Sequence, residues 1–225
     1  MYSLINTSQQ LLIAVKQQKE VKTLSLELQT IPLARLEEEL NSDSAKKVFW
    51  INLYNAWFQI LVAQSEKPKN LFTSFPFQFA NFEITLDEIE HGILRKLKPH
   101  PSTGIPKKYN DVVKQLALQV EDNRIHFALN CGLKSCPPIS FYNIERVDEQ
   151  LDLATLAYLE QETTYHIAQN HVETNELLHW YMDDFDGESG LLKLLEGYNL
   201  IPEGSHPKLT FKTFDKADSV LNFRL

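Results

Sequence analysis

The densest cluster of reactive side chains is His126-Phe-Ala-Leu-Asn130-Cys131-Gly132-Leu-Lys-Ser135-Cys136-Pro137-Pro138. Read as a buried strand that stops at Asn-Cys-Gly, it presents a thiol at a chain reversal, because Gly132 can take backbone angles closed to other residues. A cysteine attacks as its thiolate, so it needs an imidazole, a cation or free amides nearby, and a partner that orients the imidazole. His126 and His91 are the candidates. In a strand His126, Ala128 and Asn130 share one face and Phe127, Leu129 and Cys131 the other, which makes His126 an awkward base for Cys131. His91, arriving from another helix, is then the better one. Glu90 cannot orient it directly, since adjacent helical residues diverge, whereas Asp87, four residues earlier, can. The catalytic candidates are therefore Cys131, His91, His126 and Glu90.

Each of these residues also has a plain structural use. Free cysteine is among the most buried residue types, and a histidine in an apolar strand is more often a hydrogen-bonded core residue than a catalyst. Zinc is a second chemistry, with His126, Cys131, Cys136 and either His91 or His100 as ligands, but only one ligand pair is present where strong zinc signatures have two. No metal or cofactor is expected. Along residues 46–62, Asn52, Asn55 and Gln59 fall within about 60° of one another on a helix, so three amides point one way. They brace loops, or one of them lines a pocket facing Cys131. Asn52, Asn55, Asn130 and Ser135 are the binding candidates. The carboxylates of Asp183-Asp184-Phe185-Asp186-Gly187-Glu188 lack the full run of ligands of a calcium loop and read as a helix end with solvated charges.

The elements that must position these groups follow from periodicity. Helices are expected around 4–20 and 32–40, the latter from Leu33, Leu36 and Leu40. Residues 41–44 can cap a helix starting near Ala45, and that helix, apolar on nearly every side, should be central and buried. Alternating Phe75, Phe77, Phe79 and Phe82, Ile84 predict two short strands joined near Ala80-Asn81. Thr85-Leu86-Asp87-Glu88 is a capping box opening a helix that carries Glu90 and His91 to about Lys98. Pro99, Pro101, Gly104 and Pro106 mark a loop, the segment expected to move most. Residues 111–119 form a short strand or helix, 124–130 a buried strand, 148–162 an amphipathic helix, and 165–167 with 172–173 a hairpin about Asn170. Helices near 176–185 and 190–196 and a last strand over 209–214 complete the chain.

Hydrophobic residues make up 43% of the 225, ample for one buried interior. With 22 Lys plus Arg against 30 Asp plus Glu, the net charge is −8 and no basic cluster stands out. Nucleic acid and anionic membrane surfaces are therefore not expected partners. No apolar run reaches the roughly 18 residues of a membrane span, and the first 20 residues lack a basic-then-apolar export signal, so the expected location is the cytoplasm. There, two cysteines with four residues between them are seldom a structural staple.

Four ordered blocks, Phe49-Trp-Ile-Asn-Leu-Tyr-Asn-Ala56, Leu86-Asp-Glu-Ile-Glu-His-Gly-Ile-Leu-Arg95, Arg124 to Pro138, and Trp180-Tyr-Met-Asp-Asp-Phe185, resemble the family catalogued as domain of unknown function 547. The resemblance covers roughly residues 35–222. It implies a fold shared with proteins that occur alone in bacteria or attached to other modules in plants, and no assigned activity. It also implies that plant relatives carry Ser at the position of Cys136 and lack the His of position 126, which speaks against a zinc site common to the family. Cys131, Asn52, Asn55 and Glu90 lie in the best-matched blocks.

The expectation is a helix-rich α+β domain over 35–225 with a buried central helix and a small, mainly antiparallel sheet containing the 124–130 strand, preceded by a helical extension over 1–34. Its function is read as a cysteine-dependent hydrolase or acyl transferase acting on a small-molecule or peptide substrate. The alternative is a non-catalytic protein-interaction module whose partner is another protein, or a zinc-binding domain.

Overall fold

In the computed structural model, which describes residues 3–63 and 70–224, the chain winds around one helix. Three short helices lead in, α1 (Leu4–Lys16), α2 (Lys22–Gln29) and α3 (Leu33–Glu39). The central helix α4 (Asp43–Val62) starts where the Ser42 hydroxyl accepts the Ala45 amide at 3.3 Å. Helix α5 (Leu71–Ser74) precedes a hairpin of β1 (Phe77–Phe79) and β2 (Phe82–Ile84), in antiparallel register Phe77 to Ile84 and Phe79 to Phe82. A π-helical segment (Glu88–Leu94), α6 (Asp111–Leu116), a 3₁₀ turn (Asn123–Phe127) and α7 (Val147–Glu162) follow. The last third holds β3 (Thr164–His166), β4 (His171–Asn175), α8 (Glu176–Trp180), a 3₁₀ turn (Met182–Phe185), α9 (Gly187–Gly197) and β5 (Lys208–Lys212). β4 pairs antiparallel with β3 and parallel with β5. This is a helix-rich α+β domain with two small, mostly antiparallel sheets. Among the described residues no helix is long and apolar enough to cross a membrane.

Helix α4 is apolar around most of its girth because nearly every side is covered. Phe49 and Trp50 pack on Phe79 at ring distances of 5.6 and 5.2 Å. Leu4, Leu11, Leu12 and Leu28, from residues set apart above as an extension, are fully buried in the same cluster. The remaining side of α4 carries the amides. Asn52 donates to the Tyr142 carbonyl at 2.9 Å and accepts its amide at 3.1 Å. Asn55 donates to the Ala128 carbonyl at 2.9 Å and accepts the Asn130 amide at 3.0 Å. Gln59 accepts the Leu221 amide at 3.3 Å. Asn52 and Asn55 thus each take the place of a peptide group in a ladder, donating and accepting once, so irregular chain can lie buried beside a helix. Gln59 only accepts, and its buried Nε2 has no partner among the described residues.

Residues 124–130 are not a strand, and neither sheet contains them. The Asp122 carboxylate accepts the Arg124 amide at 3.2 Å and tightens residues 123–127 into a 3₁₀ turn. Continuous burial here has a different cause from that of a sheet interior. Ile125, Ala128 and Leu129 join the core around α4, while Phe127 joins a second core with Tyr158, Phe185 and Leu191. A segment lying on the seam between two cores is apolar on all sides whatever its backbone, so its periodicity could not reveal a turn.

Replacing Asn55 by Ala removes the partners of one buried carbonyl and one buried amide, at about 1–3 kcal/mol for each unsatisfied group. The expected loss is about 2–6 kcal/mol, read as a lower urea midpoint at unchanged slope. An Asn41→Ala control, at an exposed helix end, should shift it by less than about 0.5 kcal/mol.

Candidate functional site

The capping box forms as its sequence requires: Glu88 accepts the Thr85 amide at 2.9 Å, and the Thr85 hydroxyl accepts the Glu88 amide at 3.2 Å. Beyond it the helix widens to i→i+5 bonding, with the Arg95 amide on the Glu90 carbonyl at 2.8 Å, a local change frequent at functional sites. Gly92 permits close packing there, since a Cβ would stand 2.6 Å from Val113. The wide turn directs Glu90 and His91 into a cavity of about 570 Å³ between the two cores. His126 enters from the 3₁₀ turn on the seam, Tyr54 from α4, and Trp180 and Tyr181 from the end of α8. Cys131 and Cys136 form part of the wall.

Glu90 accepts the Tyr181 hydroxyl at 2.6 Å and the Tyr54 hydroxyl at 3.2 Å. Burial pushes its carboxyl up, but His91, the Tyr181 phenol, His126 and Arg95 together hold it below the usual range. Both phenols are pushed well above their ordinary value, by burial first and by Glu90 next, so they remain donors. His91 Nδ1 lies 2.7 Å from Arg95 Nη1. A guanidinium only donates, so Nδ1 accepts and the proton sits on Nε2, which faces Asp87 at 3.7 Å. That is too long for a hydrogen bond, and Asp87 instead accepts Lys107 Nζ at 2.8 Å.

His126 is held differently. Its Nε2 lies 2.8 Å from Asp184 Oδ2 and its ring stacks on Tyr181 with centroids 4.0 Å apart. The Asp184 carboxylate also takes Arg95 Nε at 2.7 Å, Arg95 Nη2 at 3.0 Å and Lys98 Nζ at 3.1 Å. Burial raises its pKa, yet hydrogen bonds from His126 and Arg95 outweigh that and hold it far below the carboxylate range. An ionised Asp184 fixes the proton of His126 on Nε2 and leaves Nδ1, without a hydrogen-bond partner among the described residues, as the basic nitrogen. Burial keeps this imidazole neutral, against the pull of Asp184.

The two cysteines differ from expectation. They are joined as a disulfide, with Cα atoms 5.9 Å apart, so neither sulfur is a thiolate or a zinc ligand while the bond stands. Among the described residues no group of three or more His, Cys, Asp or Glu is placed to hold a metal ion. Gly132, at φ +74°, lets the loop backbone touch the Phe58 ring, which a Cβ would approach to 2.6 Å.

All four catalytic candidates line the one cavity, whereas Asn52, Asn55, Asn130 and Ser135 do not. Asn130 accepts the Gly132 amide at 2.9 Å and donates to the Pro137 carbonyl at 2.8 Å. The Ser135 hydroxyl accepts the Asp215 amide at 2.9 Å. Tyr54, Arg95 and Tyr181 are site residues that sequence reasoning misses, and Asp184 is one that it reads only as part of a solvated helix end. Arg95 carried a usable signal, a cation four residues after a histidine on one helix face. Asp184 did not, and its side chain, read as solvated, is only 5% exposed.

A family model described as protein of unknown function, DUF547, matches residues 38–159, the span that supplies α4, the π-helical segment, the seam and the disulfide. No curated protein and no solved structure matched the chain.

The two imidazoles make stability pH-dependent in a defined direction. Unfolded, each titrates near its ordinary 6.5, and in the fold burial holds each below that value. Between those values the unfolded chain binds more protons, so stability is complete above 6.5 and declines as pH falls beneath it. The urea midpoint should be lower at about pH 5 than at about pH 7, before Asp184 begins to protonate. A flat or inverted profile over that window would contradict the assignment of two buried neutral histidines.

Proposed function

Because the chain belongs to the DUF547 family, whose description carries no activity, we propose its function from the cavity: a cysteine-dependent hydrolase or acyl transferase acting on a small acyl or peptidyl substrate. The carrying observation is that Cys131 and the Asp184-paired imidazole of His126 line one concave, partly aromatic space. Its volume of about 570 Å³ suits a small-molecule or short peptide ligand.

In this reading Cys131, once released from Cys136, attacks the acyl carbon. His126 Nδ1 takes the thiol proton and returns it to the leaving group, and Asp184 holds the ring in the required tautomer. Water or a second nucleophile then completes the transfer. His91 is the weaker base, since one of its nitrogens already accepts Arg95 and the other carries the proton. Glu90, engaged by two phenols, balances the charge of Arg95 and positions the imidazoles without reacting. A reducing cytoplasm, the location expected from the sequence, would hold the pair as thiols and the site ready. The chemistry is assigned to this chain's residues, not to the family at large.

The test uses p-nitrophenyl acetate as an acyl donor and the fully reduced chain. Expected are nitrophenolate release, an acetyl group on Cys131 by peptide mass spectrometry, and acylation slower by about 10²–10⁴-fold in His126→Ala. Equal turnover by Cys131→Ala would sink the proposal and leave the interaction-module reading in its place.

A further inference from the structure

The disulfide does little that the loop does not already do for itself. Asn130 ties the two ends of the loop through Gly132 and Pro137, and the Cys136 amide closes a turn on the Leu133 carbonyl at 3.0 Å. The segment after β5 clamps the outer edge: the Lys134 amide bonds the Ala217 carbonyl at 2.8 Å, and the Ser219 amide bonds the Gly132 carbonyl at 2.8 Å. A bridge across four residues also restrains the unfolded chain only weakly. With the loop shaped by these bonds, breaking the disulfide returns two thiols that remain neighbours. The two sulfurs are also unequal. Cys131 is partly exposed on the cavity wall, whereas Cys136 is 3% exposed, and its sulfur receives the Leu133 amide at 3.4 Å.

We infer that the Cys131–Cys136 bond is a reversible exchange site for a low-molecular-weight thiol, which enters the cavity, attacks Cys131 and so governs the site proposed above. The thiolate RS⁻ bonds to Cys131 Sγ as the Cys131–Cys136 bond breaks. The electron pair leaves on Cys136 Sγ, beside the Leu133 amide, and is protonated. A second RS⁻ then removes the first as RSSR and frees the Cys131 thiolate, so two thiols supply the two electrons taken up by the disulfide. Reversal by RSSR stores the nucleophile again. The inference names the regulation of the proposed acyl-transfer site, yet its primary test needs no activity.

Glutathione is the probe. In the native chain it should open the bond with no change in circular dichroism. Oxidised glutathione should add one adduct at Cys131 of Cys136→Ser, and react with Cys136 of Cys131→Ser at least about tenfold more slowly, because access decides the rate. The inference is overturned if the bond resists until denaturant is added, if the two single variants react equally fast, or if a reduced chain that does cleave p-nitrophenyl acetate cleaves it no faster than the bonded one. A chain that exchanges at Cys131 as described but is inert to the ester when reduced upholds the exchange site and removes the hydrolase reading.

Discussion

Backbone that is neither helix nor sheet can be buried only if each N–H and C=O finds a partner, and that requirement shapes this protein around α4. The helix satisfies its own peptide groups internally and has none to lend. Side-chain amides at Asn52 and Asn55 supply the missing ladder, and the Gln59 carbonyl oxygen adds one acceptor. Against it rest the end of the seam at Ala128 and Asn130, the chain at Tyr142 beyond the sulfur-bearing loop, and the C-terminal segment at Leu221. The cavity exists because those three stretches of irregular chain can be held in a dry interior.

The second requirement concerns charge. Arg95 and Asp184 are nearly excluded from solvent, and isolated charges there would be costly. They are stable as one array: Asp184 takes two nitrogens of Arg95, one of Lys98 and one of His126, while Arg95 reaches His91 and the Pro99 carbonyl. Removing a member of a buried pair typically costs about 3–5 kcal/mol, much of it from the stranded partner. The array therefore orients both imidazoles, one with its basic nitrogen occupied by Arg95 and the other with its basic nitrogen to spare.

Much of this was legible in the residues. The polar stripe on an apolar helix, the capping box, the hairpin at Ala80-Asn81 and the blocks shared with the family all follow from local pattern, and local pattern is what sequence carries. The seam was not, because burial between two cores erases the alternation that separates strand from turn. Once residues 123–127 are a 3₁₀ turn, the face argument against His126 loses its basis. The Asp184 contact spans 58 residues and the Tyr181 contact 91, and nothing in either neighbourhood announces its partner. The expected compartment speaks against the disulfide, although two cysteines with only four residues between them are its plainest sign.

Gly132 has a mechanical meaning beyond its backbone angle. With only hydrogen between it and the Phe58 ring, the loop is seated directly against the central helix, and the aromatic ring works as a stop. Under the exchange proposed above, the loop is therefore expected to hold its depth in the cavity wall when the bond opens, so that oxidation state acts on reactivity more than on position.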